Sequence, residues 1–257
     1  MSARRTAMPE VRALELGEDQ AGLWPLGQAG FLIRQGELTV AIDPYLSDSA
    51  ARAAPAFSRA LPVPIEPEDL QVDVFLVTHD HLDHLDPETV DRYRHKESTR
   101  FIAPRLACRK LESLGVPPGN IVRVDAGEQA AVCGIEVQGV YAVPTGPDVL
   151  DTCGYRLELS GGKTVYHTAD TAWSELLERA APKAQVLLVC INGKYGNLNV
   201  HQAVRLAQAV QPRIAVPMHY DLMRLNAENP EAFTHLLRQA LPQCQGRILQ
   251  MMEPLVW

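Results

Sequence analysis

Three of the eight histidines in this 257-residue chain fall within the six residues His79-Asp80-His81-Leu82-Asp83-His84. Neutral imidazole and carboxylate are the usual nitrogen and oxygen donors to a catalytic divalent metal. His79 and His81 are two residues apart, so in extended backbone their side chains leave the same face and can grip one ion. Asp83 and His84 follow after a further step of chain and can reach a second ion nearby. A solvated His/Asp loop would have the same composition. What favours a metal site is that similar residues recur at the ends of other apolar runs.

Those runs are the elements that must position the cluster. Leu38–Ile42 stops at Asp43, Val72–Val77 at Thr78-His79, and Val140–Val143 at Pro144-Thr145-Gly146-Pro147-Asp148. Thr164–His167 stops at Thr168-Ala169-Asp170, Val186–Ile191 at Asn192, and Ile214–Met218 at His219. Their length and β-branched content read as strands, several apolar throughout as in strands covered on both faces. Helical spacing lies between them. Asp86-Pro87-Glu88 and Asn229-Pro230-Glu231 each offer an N-cap with proline at the first helical position. Ser174 to Ala181 and His201 to Val210 carry helical periodicity, and Phe233, Leu236, Leu237 and Leu241 line one face of another segment. Residues 49–67 hold alanines and four prolines and read as a loop with at most one helical turn. Strands alternating with helices predict a layered α/β fold, with no composition shift to divide it, hence one domain over 1–257.

In layered α/β folds, ligands sit beyond the carboxyl ends of strands. Asp170 and His219 alone would be ordinary turn residues. With the 79–84 cluster they predict a two-metal set: His79, His81 and Asp170 at one position, and Asp83, His84, Asp170 and His219 at the other, bridged by Asp170. Two ions about 3.5–4 Å apart can hold a hydroxide that is nucleophilic at neutral pH. Asp43 is placed to orient a ligand imidazole, or simply to turn the chain before Pro44.

Composition narrows the setting. The chain is 46% hydrophobic and 21% charged with a net charge of -7, an ordinary globular balance without the basic surface that nucleic acid requires. Five dispersed cysteines without a C-x-x-C pair suggest free thiols in a reducing compartment. Met1-Ser2-Ala3-Arg4-Arg5 leads into no apolar signal segment, and no run approaches the roughly 20 residues of a membrane span. The expectation is a cytoplasmic protein with a small-molecule substrate and no membrane or nucleic-acid partner. A homo-oligomer is allowed.

His79-Asp80-His81-Leu82-Asp83-His84 resembles the H-x-H-x-D-H mark of the metallo-β-lactamase superfamily, with Asp170 and His219 at the places of its later ligands. Leu26-Gly27-Gln28-Ala29-Gly30-Phe31, Ile42-Asp43-Pro44-Tyr45-Leu46-Ser47-Asp48-Ser49 and Ile191-Asn192-Gly193-Lys194-Tyr195-Gly196-Asn197 are similar to the branch containing L-ascorbate-6-phosphate lactonase. The resemblance spans about Leu26 to Phe233. It implies a four-layer αββα sandwich and a hydrolase dependent on one or two ions of manganese or zinc. One departure stands out: the superfamily places a further metal histidine where this chain reads Val143-Pro144-Thr145-Gly146-Pro147-Asp148. Asp148 or a water then completes the first position, and a site richer in oxygen suits manganese.

Asn192, Lys194, Tyr195, Asn197 and Asn199 form a polar loop beside the expected metals, where Lys194 is placed to hold an anionic group. Tyr220 is a candidate donor to a developing oxyanion. His167 reads as a core histidine, and His95, His201 and His235 as surface. Together these readings predict a lactonase acting on a small acidic or phosphorylated metabolite, with Asp83, Asp170 and Tyr220 at the reaction. The alternatives are a phosphodiesterase for small cyclic phosphodiesters and a non-catalytic binding protein with a degenerate site.

Overall fold

The structure is a computed structural model and describes residues 8–257; the reading of Met1–Arg5 lies outside the described residues. Two seven-stranded sheets carry the fold. In chain order the first is built from β1 (Gly22–Gly27), β2 (Gly30–Gln35), β3 (Leu38–Ile42), β4 (Val74–Leu76), β5 (Arg100–Ala103) and β6 (Ile121–Arg123), with helices α1 (Met8–Ala13), α2 (Ser49–Ala53), α3 (Pro87–Arg92) and α4 (Arg105–Ser113) among them. The second contains β7 (Gln129–Val132), β8 (Ile135–Tyr141), β9 (Cys153–Leu159), β10 (Lys163–His167), β11 (Val186–Cys190), β12 (Ile214–Met218) and β13 (Gln245–Gly246), with α5 (Glu175–Ala180), α6 (Val200–Val210) and α7 (Pro230–Ala240). The last strand, β14 (Leu255–Val256), returns to the first sheet. The spatial orders are β14-β1-β2-β3-β4-β5-β6 and β13-β12-β11-β10-β9-β8-β7.

The pleat explains the apolar runs. Phe31, Ile33, Val40, Ile42, Val74 and Leu76 face the second sheet, while their neighbours Leu32, Ala41, Phe75 and Val77 pack with Val11 of α1, Val90 of α3 and Leu111 of α4. Residues of α5, α6 and α7 pack with the second sheet, as Leu177, Leu206 and Phe233 show. Each central strand is therefore apolar on both faces, as strands between a sheet and a helix layer must be. The layers are helix, sheet, sheet, helix, the predicted sandwich. Truncating one of these fully buried side chains, such as Leu76, costs about 2–5 kcal/mol.

The predicted caps operate. Asp86 accepts from the Glu88 amide at 3.1 Å and Asn229 from the Glu231 amide at 2.9 Å, each with proline at the first helical position. Residues 49–67 are more ordered than a loop. They hold α2 and a 3-10 turn over Pro55–Phe57, tied back by the Asp48 carboxylate, which accepts from Ser58 Oγ and Arg59 N at 2.9 Å each. The run at Val140 is shorter as a strand than its apolarity suggests. β8 ends at Tyr141, and Val143 instead donates its amide to the Thr171 hydroxyl at 2.8 Å. All five cysteines are free. Among the described residues no helix is long and apolar enough to cross a membrane.

β3 and β4 run parallel in one sheet, and β10, β11 and β12 in the other. Their carboxyl ends release Asp43, the Thr78–His84 segment, Asp170, Asn192 and His219. β2 is antiparallel to β3 with Phe31 opposite Ile42, which brings the turn between β1 and β2 to the same edge.

Candidate metal centre

Asp43 is the hidden anchor of the site. Fully buried, it accepts from Thr78 N (2.8 Å) and Thr78 Oγ1 (2.6 Å), and its Oδ2 lies 2.7 Å from His84 Nδ1. Thr78 Oγ1 donates to Asp43 and so accepts from His79 Nδ1 at 3.0 Å. One carboxylate thus fixes both imidazoles by their outer nitrogens, the arrangement that carboxylates impose on metal-ligating histidines. The inner nitrogens are left facing other members of the cluster. His79 Nε2 lies 3.0 Å from His81 Nδ1, and His84 Nε2 lies 3.5 Å from Asp170 Oδ1.

Opposite them stands the second sheet's contribution. His219 Nε2 is 3.2 Å from Asp170 Oδ2 and 3.4 Å from Asp83 Oδ2. Asn197 Nδ2 donates to Asp170 Oδ2 at 2.8 Å. His219 sits at φ 64°, a left-handed conformation uncommon for a residue with a Cβ, and strain of this kind concentrates at functional sites. Among the described residues, two groups have donor atoms within 4.8 Å of one another: His79 with His84 and Asp170, and Asp83 with His84 and His219.

Charge within this cluster is separated. Burial alone would raise the Asp170 carboxyl, but the His219 and His84 imidazoles outweigh it and hold the group well below the usual carboxylate range. Burial likewise opposes a proton on His219, yet Asp170 and Asp83 raise its imidazole to about 9. His79, buried and beside His84, is pushed down to about 3 and stays neutral. Without a metal, protons on His84 and His219 supply the positive charge that Asp83 and Asp170 demand. A divalent cation would supply it instead. His84 Nε2 and Asp170 Oδ1 face each other, buried and without a hydrogen-bond partner. Orphaned donors of these types, aimed at one point, fit a metal.

The cluster opens onto a cavity of about 330 Å³ whose lining includes His81, Asp83, Asp170 and His219 from the cluster, Asn197, Tyr195, Thr145 and Asn226 as polar neighbours, and Ala50, Phe57, Leu82 and Met223 as apolar ones.

Asp148 also lines the cavity, while several other predicted residues lie elsewhere. Asp148 Oδ1 contacts His81 Nε2 at 3.3 Å. That is the outer nitrogen, since Nδ1 faces His79. Asp148 therefore meets His81 on the side away from His79. Its loop turns at Gly146 (φ +86°), where a Cβ would stand 3.0 Å from the Asp148 carboxylate. The Asp148 side chain is 74% exposed, so its bond to His81 is weak. Asp148→Ala is expected to lower turnover only a few-fold, about as much as a surface pair contributes, with metal content unchanged. Loss of one metal equivalent, read by elemental analysis, would restore Asp148 as a ligand.

Lys194 turns away and donates to the Ala227 carbonyl at 2.9 Å. Asn192 is buried outside the cavity lining, with both side-chain polar atoms unpartnered. Asn199 forms the capping box of α6 with Gln202, a structural duty that outranks binding. Tyr220 lines a separate small cavity with Pro25 and Phe31. His219 and Tyr220 line different cavities, so adjacency in sequence did not bring Tyr220 to the cluster. His167 is buried, its Nε2 2.8 Å from the Ala29 carbonyl oxygen. Of the site residues, sequence reasoning gave no role to Thr78, Asn226 or Gln28. Gln28 Nε2 donates to Asp83 Oδ2 at 2.6 Å and lies 3.0 Å from His219 Nε2.

The sequence profile of the Beta-lactamase superfamily domain matches residues 39–220, which include His79, His81, Asp83, His84, Asp170 and His219. The chain belongs to this superfamily. Its superfamily relatives include a metal-dependent hydrolase of Methanosarcina mazei, 27% identical over 215 residues covering 81% of this chain and 86% of that one. Another, from Myxococcus xanthus, is 29% identical over 238 residues, 87% of this chain and 78% of the relative. Among solved structures, the metallo hydrolase Igni18 of Ignicoccus hospitalis superposes with a TM-score of 0.74 at 21% identity, covering 93% of this chain and 98% of that one. The last likeness is one of fold.

Proposed function

We propose that the chain is a metal-dependent hydrolase of small, uncharged carbonyl compounds, a lactone or related ester. His79, His81 and Asp170 would hold one metal, and Asp83, His84, His219 and the same Asp170 the other. With Asp148 outside the set, the donors at the first position are mainly imidazoles, which suits zinc at least as well as manganese. When bound, the metal supplies a Lewis acid and a water that is nucleophilic at neutral pH. The chain's own part is positional. Asp43 and Thr78 aim His79 and His84, Asn197 fixes Asp170, and Asp83 and Asp170 are the carboxylates at hand to accept the proton of an attacking water.

One observation carries the choice of substrate: among the described residues no lysine or arginine lines the cavity. A phosphorylated or acidic metabolite, or a phosphodiester, would meet no lysine or arginine among the described lining residues, and Lys194 donates to the Ala227 carbonyl instead. Alanine, phenylalanine, leucine and methionine side chains favour a compact, largely apolar molecule with a few polar atoms.

The test is turnover by the metal-loaded protein of neutral lactones, their phosphorylated counterparts and a phosphodiester dye. A charge-assisted contact is worth about 1.5–3 kcal/mol, so kcat/KM for the neutral lactones is expected to be about tenfold or more above the phosphorylated ones. Preference for the phosphorylated substrate would reverse the assignment. No turnover of any, with metal bound, would favour a binding protein.

A further inference from the structure

Gln28 is held by backbone as tightly as any ligand of the cluster. It lies in the turn between β1 and β2 at φ 56°, and its carbonyl accepts from the amide of His219, itself at φ 64°, at 2.8 Å. Two left-handed residues with side chains are thus clasped to each other across the two sheets. A strained turn persists only where its surroundings over-determine it, and such turns cluster at functional sites. The result of this one is to bury Gln28, 3% exposed, with its amide against Asp83 and His219.

The chemistry of that contact is unusual. Gln28 Nε2 donates to Asp83 Oδ2 and stands 3.0 Å from His219 Nε2, the two residues whose donor atoms form one converging set with His84. The other end of the amide, Oε1, is buried with no partner at all. An amide that uses its nitrogen well and strands its oxygen is oriented by what faces it. In the metal-free chain that is a carboxylate, which calls for a donor. A cation among Asp83, His84 and His219 would call for an acceptor, and rotation about the broad, two-fold terminal torsion exchanges the two ends at little cost.

We propose that Gln28 contributes its amide oxygen to the metal position formed by Asp83, His84 and His219, and that the amide turns over on metal binding. The proposal rests on the metal-dependent reading above but not on its substrate. A neutral oxygen adds a donor without adding charge to a position that already has Asp83 and shares Asp170. It also makes that position richer in donors than the one at His79 and His81, which lacks the superfamily's further histidine.

The experiment is titration of the full-length protein with zinc and with cobalt alone, against a competing chelator, alongside the visible absorption of the cobalt form. Gln28→Leu keeps a side chain of similar bulk and removes the amide, its oxygen included. It is expected to weaken one metal equivalent about tenfold or more, since even outer partners of a ligand are worth that much, and to change the cobalt spectrum. Gln28→Glu, which keeps the shape and offers a carboxylate oxygen, is expected to hold that equivalent at least as tightly as the wild type. If Gln28→Leu does not fold, the comparison of Gln28→Glu with wild type decides, since an oxygen on the metal must shift the cobalt bands when its charge changes. Superimposable isotherms and spectra for wild type and variants would overturn the proposal. Failure of the wild type to take up either metal would instead overturn the metal-dependent reading on which it rests.

Discussion

Asp170→Ala is expected to abolish turnover and to strip the protein of metal while leaving the fold in place. Among the described residues Asp170 is the one carboxylate within 3.5 Å of imidazoles from both sheets, His84 on one side and His219 on the other. It also shares a converging set with His79. In the proposed function it is common to both metal positions, so its loss weakens each. Loss of an outer partner costs about 10–100-fold, and loss of a shared ligand should exceed the upper end of that range. The fold should survive because Asp170 follows β10 at the cavity edge and its neighbours are other site residues. Removing it relieves the need for protons on His84 and His219, which can become neutral. Asp170→Asn separates charge from shape, since it can still contact Asn197 but carries no charge for a cation. Both variants should show a native circular dichroism spectrum and little bound metal. Turnover within tenfold of wild type at matched metal content would remove Asp170 from the reaction.

The amino-acid pattern made most of this site legible because its residues come from two local sources. The 79–84 cluster is contiguous, and Asp170 and His219 each follow an apolar run whose strand character is plain. The parallel pairing that brings their ends to one edge is implied by alternating strands and helices. What could not be read was direction. The ring nitrogen that His81 turns to Asp148 depends on a loop folding back at Gly146, and the facing of Tyr220 depends on the left-handed turn at His219. Neither is visible to periodicity. Gln28 went unassigned for the same reason. A glutamine in a Gly-Gln-Ala-Gly turn looks like a solvated turn residue, and only the clasp with His219 shows that it points inward. The alanines and prolines of 49–67 resembled loop because short helices of five and three residues carry too little spacing to register.

The largest effect on stability is expected from Asp43→Ala. Asp43 is completely buried and satisfies Thr78 N, Thr78 Oγ1 and His84 Nδ1 at once. Alanine leaves a cavity and three groups without their acceptor. Breaking a buried, hydrogen-bonded charge typically costs about 3–5 kcal/mol, a large share of the roughly 5–15 kcal/mol that holds a domain together. Acidity provides the second signature. Burial pushes the Asp43 carboxyl upward, but the charge and hydrogen bond of His84 outweigh it, so the folded group titrates lower than the unfolded one. A depressed carboxyl contributes stability that is complete above the unfolded value, near pH 4, and is lost as pH falls from there toward the folded value. Urea unfolding of chelator-treated wild type and Asp43→Asn should therefore differ by a constant amount from pH 5 to 7 and converge below about pH 4. In Asp43→Asn the amide can meet one face of Thr78 or His84 but not both, so part of the loss should remain even where the shape is kept. A penalty under about 1 kcal/mol, the worth of a single ordinary hydrogen bond, would show that Asp43 does not anchor the two imidazoles. A gap that did not close on acidification would show that what was lost is packing and not the carboxylate.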